Sequence, residues 1–293
     1  MAKARALDKR RKSIKNIRKI TRTMELIATA RFKKAMDRAH AATAYTKRMT
    51  RLVSNLANAG LKVSHPLLQT PEKTETAVLL VLTANRGLCG GYNGNILRKS
   101  VVRYNEMKEA VPHLTVEMSG KRGISNFKFR QIPMDITYTH FEEKPTFAEV
   151  ELLADRYLEA FIAGKLDRLD VSYMRFESAG RQAPYIETLL PLGGLAGTEV
   201  KGAEKSTTEY EFLPSAESIL EEIVPTSFKI KLFKCFLDAA VSEQIARRVA
   251  MKSATENADK LIKNLTRNYN RARQSQITGE IMEILGGVEA LKG

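Results

Sequence analysis

The two ends of the chain carry long apolar stripes with helical spacing. From Lys229 to Leu291 there is no proline, and residues 3–58 contain neither proline nor glycine. Apolar side chains recur in both segments at short steps, which predicts two helices of unusual length. The C-terminal stripe comprises Val241, Ile245, Val249, Ala254, Ala258, Leu261, Leu265, Tyr269, Ala272, Ile277, Ile281, Ile284 and Val288. The N-terminal stripe comprises Leu7, Ile14, Ile17, Ile20, Met24, Ile27, Ala35, Ala39, Ala42, Tyr45, Met49, Leu52 and Leu56.

A helix of this length cannot bury its stripe alone and needs a partner of similar length. Each terminal segment is the only such partner for the other, so residues 1–60 and 214–293 are predicted to form a long antiparallel coiled coil. The spacing drifts around roughly 3.5–3.7 residues, which predicts a shallow, irregular supercoil rather than a strict heptad. Pro225 is expected to interrupt the pattern, so that the C-terminal helix begins near Ser227. Two ordinary helices of a bundle are the alternative.

Residues 74–213, between the two helices, alternate between strand and helix patterns. Residues 76–83 form a continuous run of branched apolar side chains, which is typical of a strand buried on both faces. Further strands are predicted at 114–118, 136–139, 169–176 and 185–190, and helices at 92–108, 120–128 and 147–163. This alternation predicts a small, mostly parallel sheet with helices on it. The fold class is therefore α/β, a Rossmann-like domain with its exit linker inserted into the coiled coil.

The charge of the chain is concentrated at one end. The net charge is +15, and residues 1–58 hold 17 Lys and Arg against three acidic residues, a net +14. Such an excess indicates an acidic partner: nucleic acid, anionic lipid or a carboxylate-lined protein surface. No zinc-ligand spacing, helix-turn-helix pattern or aromatic-interleaved basic cluster occurs, so nucleic-acid recognition has only the charge in its favour and is otherwise weakly indicated. No apolar run approaches the ~20 residues that span a bilayer.

A glycine turn follows the first predicted strand, where a Rossmann fold would hold a phosphate. Gly87, Gly90, Gly91 and Gly94 give GxxGGxxG rather than GxGxxG, and no Walker lysine follows. The turn is therefore interpreted as a tight entry into a helix and a surface for docking neighbours. The four histidines are scattered and no GxSxG occurs, so no catalytic residue, cofactor or metal site is predicted.

Three separated segments carry more specific motifs. Residues 19–28 read KITRTMELIA, residues 83–93 read TANRGLCGGYN, and residues 273–284 read RQSQITGEIMEI. In this order, around an inserted α/β domain, they resemble the gamma subunits of F-type ATP synthases, which form the central stalk. The resemblance covers essentially the whole chain.

The resemblance implies a rotor subunit without a catalytic site of its own. The terminal helices would turn inside a hexamer of alternating alpha and beta subunits, and the globular part would contact the epsilon subunit and the ring of c subunits. Proton flow through the ring would then drive ATP synthesis at the beta-subunit sites. The chain would bind no nucleic acid and would lie peripherally on the cytoplasmic side of a bacterial inner membrane.

The same resemblance assigns residues to contacts with neighbouring subunits. The contacts expected with the beta subunits are Met24, Arg273, Gln274, Thr278, Glu280 and Glu283. The basic residues expected to face acidic loops of beta are Arg10, Arg11, Lys12, Arg31, Lys33 and Lys34. Ordinary helix surface or seam is the alternative for each residue. Two other classes of protein stay open, a coiled-coil nucleic-acid-binding protein and a Rossmann-like enzyme that uses the glycine turn.

Overall fold

The computed structural model describes residues 2–58, 66–69, 71, 73–141, 144–192 and 216–291. Within these ranges the helices are α1 (Ala2–Asn58), α2 (Tyr92–Ala110), α3 (Lys121–Phe129), α4 (Phe147–Ile162) and α5 (Ala216–Ala290), with a short 3-10 helix at Pro66–Leu68. The strands are β1 (Thr76–Leu82), β2 (His113–Ser119), β3 (Ile136–Tyr138), β4 (Arg168–Ser178) and β5 (Arg181–Leu190). The chain divides into two compact units: residues 1–29 with 247–293, called the helix-pair unit, and residues 30–246, called the α/β unit.

The α/β unit contains one mostly parallel sheet, as the sequence predicts. Its strand order is β3-β2-β1-β4-β5, and all neighbouring pairs are parallel except β4 with β5. That last pair is a hairpin, since a connection of only two residues allows antiparallel pairing alone. The hairpin pairs Ser178 with Arg181, so β5 begins four residues earlier than the predicted strand at 185–190.

Strand β1 is buried on both faces, which confirms the interpretation of its apolar run. Val78, Leu80 and Leu82 belong to a core that includes side chains of α4 and α5. The alternating residues of β1 belong to a second core, on the opposite side of the sheet, with α2 and α3. The sheet is therefore covered by helices on both sides.

Helix α5 supplies part of the α/β core and is continuous through Pro225. The expectation that the helix begins near Ser227 is wrong, because α5 starts at Ala216. A proline inside a helix removes one backbone hydrogen bond. Val224 and Phe228, on either side of this proline, are completely buried in the core. Tertiary packing thus keeps the helix intact where local propensity would break it.

The helix-pair unit is an antiparallel coiled coil, as predicted, but its supercoil seam differs from the prediction. Thr255 donates a hydrogen bond to Thr21 over 2.9 Å, Arg18 pairs with Asp259, and the guanidinium of Arg11 lies 4.7 Å from the ring centre of Tyr269. Residue numbers therefore rise along α1 as they fall along α5, which makes the two helices antiparallel.

The seam follows a strict heptad, contrary to the predicted drift. The seam positions alternate in steps of three and four, and all but Arg18 are at least half-buried: Ala4, Leu7, Arg11, Ile14, Arg18, Thr21, Glu25 and Ala28 on α1, and Met251, Thr255, Ala258, Ile262, Leu265, Tyr269, Ala272 and Gln276 on α5. About two thirds of these side chains are polar or small. The apolar pattern alone could not reveal this seam, because larger apolar side chains lie outside it.

Candidate partner-contact surfaces

An exposed apolar stripe runs along α1 beside the seam. Ile17, Ile20, Met24 and Ile27 lie between 38% and 58% exposed. Their spacing of three and four residues places them on one face of the helix. Met24, which the sequence assigns to a partner contact, thus lies in the middle of an apolar surface that this unit does not bury. We refer to these four residues as the outer stripe.

A second apolar surface lies at the end of α5, beyond the start of α1. Because Thr21 lies opposite Thr255 and the helices are antiparallel, the first turn of α1 is level with about residue 274. Ile277, Ile281, Ile284 and Val288 continue past that level and are 43–66% exposed. The prediction that they pack against the N-terminal helix is wrong, because the partner helix ends first.

The polar residues predicted near this end are all exposed, but they do not form one patch. Arg273, Gln274, Thr278, Glu280 and Glu283 surround the helix on several sides. Glu280 also accepts a hydrogen bond of 2.9 Å from the Nε2 amide of Gln276. These side chains therefore flank the exposed apolar surface of α5 and could meet different neighbours on different sides.

Three of the basic residues predicted to contact a partner lie in the helix-pair unit, at positions 10–12. Arg10 and Lys12 are exposed, whereas Arg11 is half-buried over Tyr269 and bonds Asp8 over 2.6 Å. Lys12 also pairs with Asp8, at 2.9 Å, although its own side chain is 74% exposed. The hydrogen bonds from Lys12 and Arg11 lower the pKa of Asp8, which keeps this carboxylate ionised and both cations paired. Arg11 therefore takes part in the coil itself.

The remaining basic candidates lie on the part of α1 that belongs to the α/β unit. Lys33 and Lys34 are exposed, and Arg31 is half-buried. The two lysines are accessible to a partner surface, and their predicted contact with acidic loops of beta stays a prediction.

The turn after β1 is held by polar side chains that the glycine pattern did not single out. The Thr83 hydroxyl donates to the carbonyl of Ser119 over 2.8 Å, and the Asn85 amide donates to two carbonyls, of Thr139 and Phe141, over 3.1 Å. The Asn93 side chain accepts from the N–H of Ala84 over 2.9 Å and donates to the Cys89 sulfur over 3.1 Å. Thr83, Asn85 and Asn93 all lie within the motif TANRGLCGGYN, so the polar residues of the motif were the signal that could have identified them.

The tip of this turn projects a strained apolar side chain. Leu88 has φ +65° and is 62% exposed, and Gly90 has φ +55°. A β-carbon at Gly87 would lie 3.1 Å from a guanidinium nitrogen of Arg122. Left-handed backbone is costly for a branched side chain and is kept where the surroundings fix it. The turn therefore presents the Leu88 side chain to solvent, and the Arg122 guanidinium lies beside the preceding glycine.

The crevice where a Rossmann fold would bind a nucleotide is filled. The Tyr92 hydroxyl donates to the backbone carbonyl of Ala239 on α5 over 3.1 Å, and Ser242 donates to the carbonyl of Met174 on β4 over 3.2 Å. The space left beside the ends of β1 and β2 is about 50 Å³. Ligand pockets begin near ~300 Å³. The glycine turn is thus packed against α5 and leaves no room for a dinucleotide.

Within the ranges that the structure describes, no three His, Cys, Asp or Glu side chains are placed to hold a metal ion together. None of the helices, as far as they are described, has both the length and the apolar composition needed to cross a bilayer.

Known proteins share both the sequence and the fold. Residues 3–291 match a family model described as ATP synthase. The ATP synthase gamma chain of Rhodopirellula baltica is 62% identical, with 100% of both chains covered. The gamma chain of Leptospira biflexa is 41% identical, over 99% of this chain and 100% of the relative.

Solved structures agree at the level of the fold. A chain of the Euglena gracilis mitochondrial ATP synthase assembly of OSCP, F1 and c-ring superposes with a TM-score of 0.65 at 20% identity, covering 99% of this chain and 95% of that one. A chain of the rotor of the same enzyme gives a TM-score of 0.62 at 20% identity, covering 94% and 99%. Because full-length relatives at 41–62% identity are all gamma chains, this chain belongs to the ATP synthase gamma chain family.

Proposed function

We propose that this chain is the central rotor shaft of an ATP synthase, attached peripherally to the cytoplasmic side of a bacterial inner membrane. In this role it has no catalytic site of its own. Proton flow turns the c-subunit ring and the shaft with it, and the shaft drives the beta-subunit sites of the alpha–beta hexamer through their states in turn. The α/β unit meets the epsilon subunit and the ring.

The observation that supports this function most strongly is the exposed apolar surface of the helix-pair unit. Fully burying one Ile or Met side chain stabilises a complex by about 1.5–3 kcal/mol, so the half-exposed outer stripe offers several kcal/mol to a covering partner. The end of α5 offers a second such surface. A helix pair that leaves both surfaces exposed is suited to a position in which other subunits surround it and cover those surfaces.

Apolar contact also suits a part that must turn. Hydrophobic burial is non-directional and does not tie one side chain to one partner atom. Coupling, in contrast, requires contacts that differ between the states of the partner. Arg273, Gln274, Thr278, Glu280 and Glu283 supply such directional contacts on several sides of α5. Met24 supplies packing on α1.

Charge and the turn add further contacts to the same role. Arg10, Lys12, Lys33 and Lys34 are accessible cations that steer the shaft toward carboxylate-lined loops of the beta subunits. Leu88, exposed at the tip of the turn, provides one apolar contact on the α/β unit. The turn glycines act by shaping this tip and bind no phosphate.

The proposal is tested by assembly and coupling together. A tagged chain expressed with its alpha and beta subunits should purify as one complex; recovery of the chain alone would exclude the shaft role. Arg273→Ala with Gln274→Ala should lower ATP synthesis in inverted membrane vesicles about fivefold or more at an unchanged amount of complex. The neighbouring exposed Arg271→Ala is the matched control and should leave synthesis near the parent rate. Unchanged synthesis in the double variant would make those two contacts incidental.

A further inference from the structure

The helix-pair unit has almost no apolar core of its own. Among the described side chains of α1 up to residue 29, only Thr21 and Ala28 are buried. Among those of α5 from residue 247 to 291, only Arg247, Met251, Thr255, Ala258 and Leu265 are buried. Across these two groups of buried residues, the large apolar side chains are those of Met251 and Leu265, both on α5. Most of the burial in this coil therefore involves small or polar groups, which gain little from leaving water.

The contacts across the seam do not compensate for the missing apolar core. Arg18 and Asp259 form an ion pair in which both side chains are more than 40% exposed, and such pairs contribute little to stability. The hydroxyls of Thr21 and Thr255 bond each other, but each also lies within hydrogen-bonding distance of a carbonyl of its own helix. Their mutual bond is therefore replaceable when the helices separate.

The same helix α5 is packed far more tightly within the α/β unit. Val224, Phe228, Leu232 and Val241 are completely buried there. Every side chain from 235 to 245 is buried. A single helix thus carries one segment with a dense core and another with a sparse seam. Local opening follows such differences, with free energies that range from near zero up to the global value.

We infer that the helix-pair unit opens locally in the isolated chain and becomes rigid only when a partner covers its outer stripe. Most helical stability in proteins comes from tertiary packing, and this pair leaves the four large apolar side chains of its outer stripe outside the seam. Covering Ile17, Ile20, Met24 and Ile27 would supply the missing burial. The opening is a property of this chain alone; the identity of the covering surface, the alpha–beta hexamer, rests on the proposed function.

Amide hydrogen exchange of the isolated chain tests the opening directly. Amides of residues 8–26 and 250–272 should exchange at least about 100-fold faster than those of 228–243, because the latter open only with the α/β core. Equal protection in the two segments of α5 would overturn the inference.

Seam variants test the cause. Thr21→Val with Thr255→Val keeps the side-chain shape and removes the buried hydroxyls, which should slow exchange of the helix-pair unit about tenfold. Thr23→Val with Thr29→Val is the matched control, since both hydroxyls are exposed and bond their own helix, to the carbonyls of Lys19 and Glu25. If both double variants slowed hydrogen exchange equally, the buried hydroxyls of the seam could not be the cause of the local opening.

Adding the alpha and beta subunits separates the two levels of the claim. The proposed function predicts that protection of residues 8–26 and 250–272 rises at least about 100-fold in the complex, to the level of 228–243. Opening in the isolated chain with no protection on mixing would exclude the hexamer as the covering partner and contradict the proposed function. Uniform protection before mixing would overturn the inference and leave the proposed function intact.

Discussion

Individual residues hold the α/β unit together at the points where backbones approach closely. Gly120 has φ +101°, and a β-carbon there would lie 2.2 Å from the carbonyl oxygen of Thr83. Gly123 is confined by side chains instead, since a β-carbon there would lie 2.3 Å from the sulfur of Met118. The Thr83 hydroxyl accepts from the N–H of Gly123 over 3.0 Å. The join between β1 and α3 therefore depends on two positions without side chains.

Gly120→Ala should lower the free energy of unfolding by about 2–4 kcal/mol, because left-handed strain adds to overpacking against a backbone atom. The measurement is urea unfolding of the full chain. Gly94→Ala is the control: a β-carbon at this position in α2 meets nothing within 4 Å, so stability should stay unchanged or rise by up to about 1 kcal/mol. Equal stability of the two variants would mean that the close approach at Gly120 is relieved by movement.

Adjacent arginines on α1 should behave oppositely. Arg11→Ala removes a guanidinium that lies over Tyr269, so the coil should lose about 1 kcal/mol, measured by thermal unfolding. Arg10→Ala should leave the melting temperature unchanged and slow association with the alpha–beta hexamer at low salt, because Arg10 is exposed. If Arg10→Ala changed the melting temperature and Arg11→Ala did not, the assignment of the two roles would be reversed.

Sequence reasoning at this scale identified residue types better than their roles. Met24 lies on an exposed face, and its contact with a partner stays a prediction. Arg11, predicted on the basic face of α1, also packs on Tyr269, which local pattern cannot reveal because the ring lies 258 positions away. Asn85 and Asn93 were overlooked because their hydrogen bonds join segments that are distant in the sequence or fixed by the turn itself.

At the scale of elements, periodicity predicted the helices and strands but not the face that each long helix buries. Two apolar-rich faces compete on α1, and the one with larger side chains stays outside. The heptad was hidden because residues such as Arg11, Thr21 and Glu25 occupy seam positions. Pro225 was misjudged for the opposite reason, since burial of its neighbours outweighs the missing hydrogen bond.

Substitutions of two aliphatic residues on α5 distinguish the seam from the exposed C-terminal end of the helix. Leu265→Ala should lower the free energy of opening of the helix-pair unit in the isolated chain by about 2 kcal/mol, because Leu265 is buried in the seam. Ile284→Ala should change it by less than about 0.5 kcal/mol, because this side chain is 66% exposed. Denaturant unfolding followed by a probe in the helix-pair unit makes the comparison. Equal losses would show that the end of α5 finds a partner within the chain.

At the scale of the whole molecule, the chain combines an α/β unit with a dense core and a helix pair whose apolar faces remain uncovered. The α/β architecture, the antiparallel pairing and the family could be predicted from the sequence, because long periodic segments and three ordered motifs are strong signals. The exposed surfaces could not, since burial is decided by packing that only the fold reveals. Their exposure is what an isolated shaft would show when the surrounding subunits are absent.

Rotation of the assembled complex tests the central claim most directly. The hexamer is fixed to a surface through its beta subunits, and a probe is attached to the α/β unit at Lys108, an exposed residue near the end of α2. ATP should drive the probe in one direction in three steps per turn, one for each catalytic site. A hexamer that binds this chain and hydrolyses ATP while the probe stays still, or only fluctuates, would contradict the role of a rotor shaft.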